Sequence, residues 1–295
     1  MKRLFQKHLV ASVGVLALAS ACGGAMDDAN QADAVQQPGS RFHVMKMTRP
    51  GDEANTRTEQ VAAHLNYYGG PVLTHVNVVP VYWNSSVAYQ SNLNSFYSAI
   101  PASSTIYTTL LSQYSSIGTG TRGTPYVDTK GTGTFTDAQV QTELNRLFAA
   151  GLIPQPNGSN YYPVHFPSGV TVKDSDGTSS CTQWCAYHGT YVYNGVNVNY
   201  GIIPDQGGNC AGGCGSNSQR VNNLTSVSSH ELVEATTDPA VGLATTYSPP
   251  LAWYDPTYGE IGDICNASQA TITIGSTSYV VQKEWSNSKG ACATN

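Results

Sequence analysis

The sequence predicts a mixed α+β domain with long, disulfide-bearing loops. Three observations lead there: short β-branched segments separated by Gly- and Asn-rich turns, helical segments with readable caps and stops, and six cysteines that all fall after residue 180. From Val72 to Trp83 the chain is rich in β-branched residues and alternates from Thr74 to Val78, which predicts a strand with His75 on the face opposite Val76 and Val78. Residues 87–114 carry helical spacing on both sides of a break at Pro101. A cleaner helix follows, with Thr136 and Gln139 as a capping box, Val140, Leu144, Leu147 and Phe148 as its apolar face and Gly151 as its stop. Beyond it, residues 161–166, 191–203 and 271–282 read as strands. One mixed sheet with helices fits this order, with a zincin-like arrangement as one form of it.

The first residues have a different character. Lys2, Arg3 and Lys7 precede an apolar run from Leu9 to Ala19, and Ala19-Ser20-Ala21 leads into Cys22. This is the pattern of a signal peptide over residues 1–21, too short to span a bilayer. Small residues before Cys22 resemble a lipobox, although Leu18 lies one place further from the cysteine than that pattern prefers; ordinary secretion with cleavage nearby is the alternative. Residues 22–61 are rich in Ala, Asp, Gln and Gly and read as a flexible tether or a propeptide, leaving 62–295 as one globular domain. With Cys22 assigned to lipid, Cys181, Cys185, Cys210, Cys214, Cys265 and Cys292 suit three disulfides. A metal site on the two C-x-x-x-C pairs is the alternative, and Cys265 with Cys292 is the pairing preferred here. Charged residues make up only 11%, and the formal charge of −5 becomes −8 once the three basic residues of the leader are removed. Such a surface excludes nucleic acid and anionic lipid as partners, so membrane association is through the lipid anchor alone, at a bacterial cell envelope or outside the cell.

Chemistry concentrates between residues 221 and 239. Val221, Leu224 and Val227 mark the buried stripe of a helix that Pro239 ends, and at 100° per residue Glu231 and Glu234 continue that stripe with His230 at its edge. Carboxylates pointed at a core need a cation, a hydrogen-bonding partner or a wet cleft. His230 and Glu234 have the i, i+4 spacing by which His-Glu-x-x-His helices hold zinc, with Glu231 in the place of the general base. A glutamate in the second ligand position opens the site to calcium or manganese as well as zinc. A surface helix whose His and Glu pair with neighbours is the plainer reading. Downstream, glycines flank Glu260 and precede Asp263, so either acid is a candidate third ligand. His188, bracketed by Cys181 and Cys185, is a candidate substrate or transition-state donor or else a structural histidine, and His75 reads as structural.

The segments Tyr68-Gly69-Gly70-Pro71-Val72-Leu73-Thr74, Tyr82-Trp83 and Cys181 to Gly189 resemble the phosphate-induced, or Exordium-like, family across most of residues 62–295. The resemblance implies a secreted location and a shared fold, without a settled activity, in a branch that carries the His-Glu-x-x-Glu helix. Two functions are therefore expected. One is a zinc peptidase-like metallohydrolase acting on peptide or protein, with Glu231 and His188 catalytic and His230, Glu234, Glu260 and Asp263 at the metal. The other is a non-catalytic Exordium-type envelope protein that binds glycan or a protein partner.

Overall fold

The computed structural model describes residues 43–48, 63–104 and 107–295. In chain order, strands β1 (His43–Lys46), β2 (Asn66–Tyr67), β3 (Asn77–Val78) and β4 (Val81–Tyr82) lead to helices α1 (Gln90–Ala99) and α2 (Tyr107–Leu111). Next come β5 (Thr121–Arg122), β6 (Tyr126–Val127), β7 (Gly133–Thr136), α3 (Asp137–Ala149), β8 (Asn160–His165) and β9 (Val170–Lys173). The hairpin β10 (Trp184–Tyr193) and β11 (Val196–Ile203) precedes α4 (Arg220–Thr237). Strands β12 (Trp253–Tyr254), β13 (Gln269–Ile274), β14 (Thr277–Gln282), β15 (Glu284–Ser286) and β16 (Ala291–Ala293) complete the chain.

The main sheet is mixed, in the order β1-β10-β11-β8-β3-β5, with β4 pairing both β8 and β6. Its β1-β10-β11 end is antiparallel, and the pairings from β11 through β8 and β3 to β5 are parallel. Side chains of a strand alternate between its two faces, and that rule sorts the whole molecule into layers. Tyr187 and Tyr200 both donate to Asp137 Oδ1, at 2.8 and 2.6 Å, and Tyr191 donates to Asn145 Oδ1, so this face meets α3. The residues of opposite parity, His188 on β10, Gly201 on β11 and Tyr161 and His165 on β8, face α4 and α1.

Several elements follow the sequence closely. Helix α3 has the Thr136–Gln139 capping box and ends at Gly151, whose φ of +66° is the left-handed value that glycine favours. Helices α1 and α2 lie on either side of Pro101. Others differ. The strand expected over 72–83 survives only as β3 and β4, because Pro80 interrupts the ladder. His75 therefore lies in an exposed turn before β3, its Nδ1 2.9 Å from the Thr119 carbonyl, and not on a strand. Residues 191–203 and 271–282 are each parts of hairpins, turned at Asn194-Gly195 and at Gly275.

Helix α4 is not amphipathic in its setting. From Asn223 to Thr237 every residue is buried, because the sheet covers one side while β14 and α1 cover others. A surface helix with incidental His–Glu pairing is thereby excluded.

All six cysteines after residue 180 are disulfide-bonded, as Cys181–Cys210, Cys185–Cys214 and Cys265–Cys292. The two C-x-x-x-C pairs thus cross-link to each other in register and are not a metal site. Three disulfides suit an extracellular or envelope protein, where thiols stay oxidised. Among the described residues no helix is long and apolar enough to cross a membrane. Cys22 and the leader lie outside the described residues. Strand β1 falls within the segment read as a tether, and it adds an ordered edge to the sheet through four register positions on β10.

Candidate metal centre

Three elements converge under the α4 face of the sheet. Helix α4 brings His230, Glu231 and Glu234; β10 brings His188; and the loop after β12 brings Glu260 and Asp263. The loop reaches the helix because of two glycines. Gly259 takes φ +91° where Asp255 and Gly259 pair through their backbones at 2.9 Å. Gly262 lies so close to α4 that a Cβ there would stand 2.6 Å from His230 Nδ1 and 2.8 Å from Glu234 Oε1. The Cys265–Cys292 disulfide and a hydrogen bond from Trp285 N to the Ile261 carbonyl hold the loop in place.

Of the residues singled out in the sequence, five meet at Glu234. His188 Nε2 is 3.2 Å from Glu260 Oε1 and 3.8 Å from Glu234 Oε2, while His230 Nε2 is 3.1 Å from the same Glu234 Oε2. Two groups offer ligand atoms within 4.8 Å of one another: His188, Glu234 and Glu260, and His230, Glu231 and Glu234. Asp263 is more peripheral. Its Oδ1 is 4.0 Å from His230 Nε2, its side chain is 20% exposed, and its main-chain N–H donates to Glu234 Oε1.

The spacing of the first group fits a metal. Donor atoms around a tetrahedral zinc stand about 3.3 Å apart, given bond lengths near 2 Å. Burial pushes His188 down to about 4, so its imidazole is neutral and offers a lone pair at neutral pH. In this arrangement His188 faces Glu234 and Glu260 at distances that a shared metal ion would suit. His230 is differently disposed. The Gln282 side-chain N–H₂ donates to the Gly262 carbonyl and stands 2.8 Å from His230 Nδ1. Burial disfavours the charged ring, yet Glu234 beside it holds His230 well above the usual histidine range, so ligation through Nε2 requires a proton to leave.

Glu231, like Glu284, is an unsatisfied acid. It is fully buried, and among the described residues neither of its oxygens has a hydrogen-bond partner. Tyr97 and Tyr161 are near enough for its charge to add to the burial that holds their hydroxyls protonated. The Tyr161 hydroxyl is itself unpartnered, in space that Gly201 leaves open: a Cβ on Gly201 would come 2.1 Å from it. Tyr161, Gln282 and the buried Glu284 were not singled out from sequence. Gln282 and Glu284 do carry a signal there, as polar residues set among Val280, Val281 and Trp285. Gly201 carries none, because its value depends on a tyrosine from another strand.

No family model, curated protein or solved structure matches the chain.

Two predictions follow from this packing. Gly262→Ala forces its methyl group against two buried side chains and is expected to cost about 1–3 kcal/mol in urea unfolding, as overpacking does; an unchanged midpoint would show that the loop is free to retreat. The second concerns pH. Burial raises Glu231, Asp238, Glu260 and Glu284 well above the carboxylate range, and burial with the Glu234 charge brings Asp263 to about 7. The folded, metal-free chain therefore holds protons that the unfolded chain releases near pH 4, and loses stability as pH rises from about 4 to 7. His188 and His165, both lowered by burial, act in the opposite sense, but five carboxyls outweigh two imidazoles. The Tm of the chelated protein should fall across this window and recover on adding zinc at pH 7; a flat profile would contradict the assigned burial.

Proposed function

We infer that this chain is an exported, lipid-anchored, metal-dependent hydrolase of peptidase type. The observation that carries the reading is the set His188, Glu234 and Glu260 gathered beside Glu231, a buried carboxylate with no hydrogen-bond partner among the described residues. Burying several carboxylates together without a cation costs several kcal/mol per ion, and one divalent ion relieves all of them. Two carboxylates and an imidazole suit zinc, with manganese or calcium as harder alternatives. The bound metal would supply a Lewis acid and lower the pKa of water toward neutrality.

In this reading His188, Glu234 and Glu260 hold the ion, and His230 either joins them once Gln282 rotates or anchors Glu234 from the side. Glu231 accepts the proton of the attacking water, and Tyr161 is placed to donate to developing charge on the substrate. Asp263 steadies Glu234 through its main-chain N–H. The leader-like pattern of residues 1–21, the small residues before Cys22 and the Exordium-like resemblance support placing this chemistry in the cell envelope.

One observation favours a second reading. His188, His230, Glu231, Glu234 and Glu260 are each at most 1% exposed, which suits a structural ion in an Exordium-type protein that binds glycan or a protein partner.

Glu231→Gln separates the two, being nearly isosteric and outside the His188 set. For a hydrolase, turnover of a casein-type substrate falls about 10²–10⁴-fold, the usual contribution of a general base, while metal content and Tm hold. Wild-type turnover in that variant would sink Glu231 as the base. If the parent shows no turnover and a chelator unfolds it, the structural-ion reading stands.

A further inference from the structure

Beside this site the sheet has an edge that is already occupied. We propose that the edge of β10 is a groove for an extended peptide, and that β1 is its intramolecular occupant. The identification of that peptide as substrate rests on the hydrolase reading, whereas the groove itself does not.

Strand β1 is the last strand on its side of the sheet and runs antiparallel to β10, with His43 opposite His188, Val44 opposite Tyr187 and Met45 opposite Ala186. It is seated between two further walls. On one side Thr48 N donates to the Gly213 carbonyl at 2.8 Å, and Met47 packs where Gly213 has no side chain. On the other, the Asn266 amide donates to the Lys46 carbonyl at 3.0 Å, three residues past Asp263. Contact is made through main-chain groups and side chains together: Met45 is buried, 3% exposed, and Val44 and Met47 pack against the core. Peptides recognised by strand addition are held in this way, by ladder hydrogen bonds for affinity and a pocket for selectivity.

The disulfides distinguish the groove from its occupant. Cys185–Cys214 ties β10 to the Gly213 wall, Cys181–Cys210 braces that wall again, and Cys265–Cys292 fixes the turn that carries Asn266. No cysteine lies between residues 23 and 180, so nothing cross-links β1 to any wall. A covalently fixed groove around an untied strand is preorganised to exchange that strand for another. His188 is itself a β10 residue, so a peptide in the place of β1 runs alongside the strand that carries a candidate metal ligand. The class of ligand is an extended peptide with a long, flexible apolar side chain where Met45 now sits.

The test uses the full chain with a specific protease sequence inserted between Asn55 and Thr56. A fluorescent peptide of residues 40–48 is offered before and after cutting, and amide exchange is followed over residues 184–188. Binding is expected only after the cut, at least tenfold weaker for a peptide with aspartate in place of Met45, and the exchange quickened by cutting should slow again as the peptide enters. To ensure that the native strand departs, the same measurement is made on the cut chain carrying Met45→Asp. Failure of the labelled peptide to enter that chain, or equal binding before and after cutting, would overturn the proposal. Zinc, manganese and calcium measured on the same samples keep the readings apart: exchange without bound metal leaves the groove and removes the hydrolase, and bound metal without exchange does the reverse.

Discussion

The rest of the structure depends on acidic side chains being held together in a medium that disfavours charge. Glu231, Glu234, Glu260 and Glu284 are all at most 1% exposed, and His230 and the Asp263 main-chain N–H stand against Glu234. In water each carboxylate would be solvated; here the choice is between protonation and a cation. A fold under pressure only to be stable would fill this space with apolar side chains. Instead, a helix buried on every side carries His-Glu-x-x-Glu at its centre, in groups that could hold an ion.

The architecture serves that cluster. Strand alternation sends the tyrosines of β10 and β11 toward Asp137 on α3 and leaves His188 for α4, so one layer is closed by hydrogen-bonded phenols and the other by acids and imidazoles. Glycines set the approach distances: Gly262 lets the acidic loop touch the helix, and Gly201 makes room for the Tyr161 hydroxyl. Disulfides then fix the loops that short strands cannot hold, around the edge where β1 lies.

Much of this was legible in the sequence where the signal is local. The capping box at Thr136, the break at Pro101, the helix ending at Pro239 and the glycine-flanked Glu260 each depend on neighbours a few residues away, and each lies where the chain suggested. The Cys265–Cys292 pairing also matched. What could not be read is set by distant partners. Burial of α4 on all sides depends on β14 and the sheet, so a three-residue stripe understated it. The surroundings of His188 are set by Glu260, 72 residues away, and could not be read before the two met. Strand β1 lay in a stretch whose composition resembles a tether, because its pairing with β10 and the burial of Met45 are set by partners far along the chain.

The most direct measurement is anomalous scattering above the zinc edge from crystals of the zinc-loaded protein. A single strong peak about 2 Å from His188 Nε2 and from oxygens of Glu234 and Glu260 is the predicted result. Crystals that diffract well, with no peak at that point and the carboxyls closed on one another as protonated pairs, would contradict the metal centre and leave the cluster as a network of buried acids.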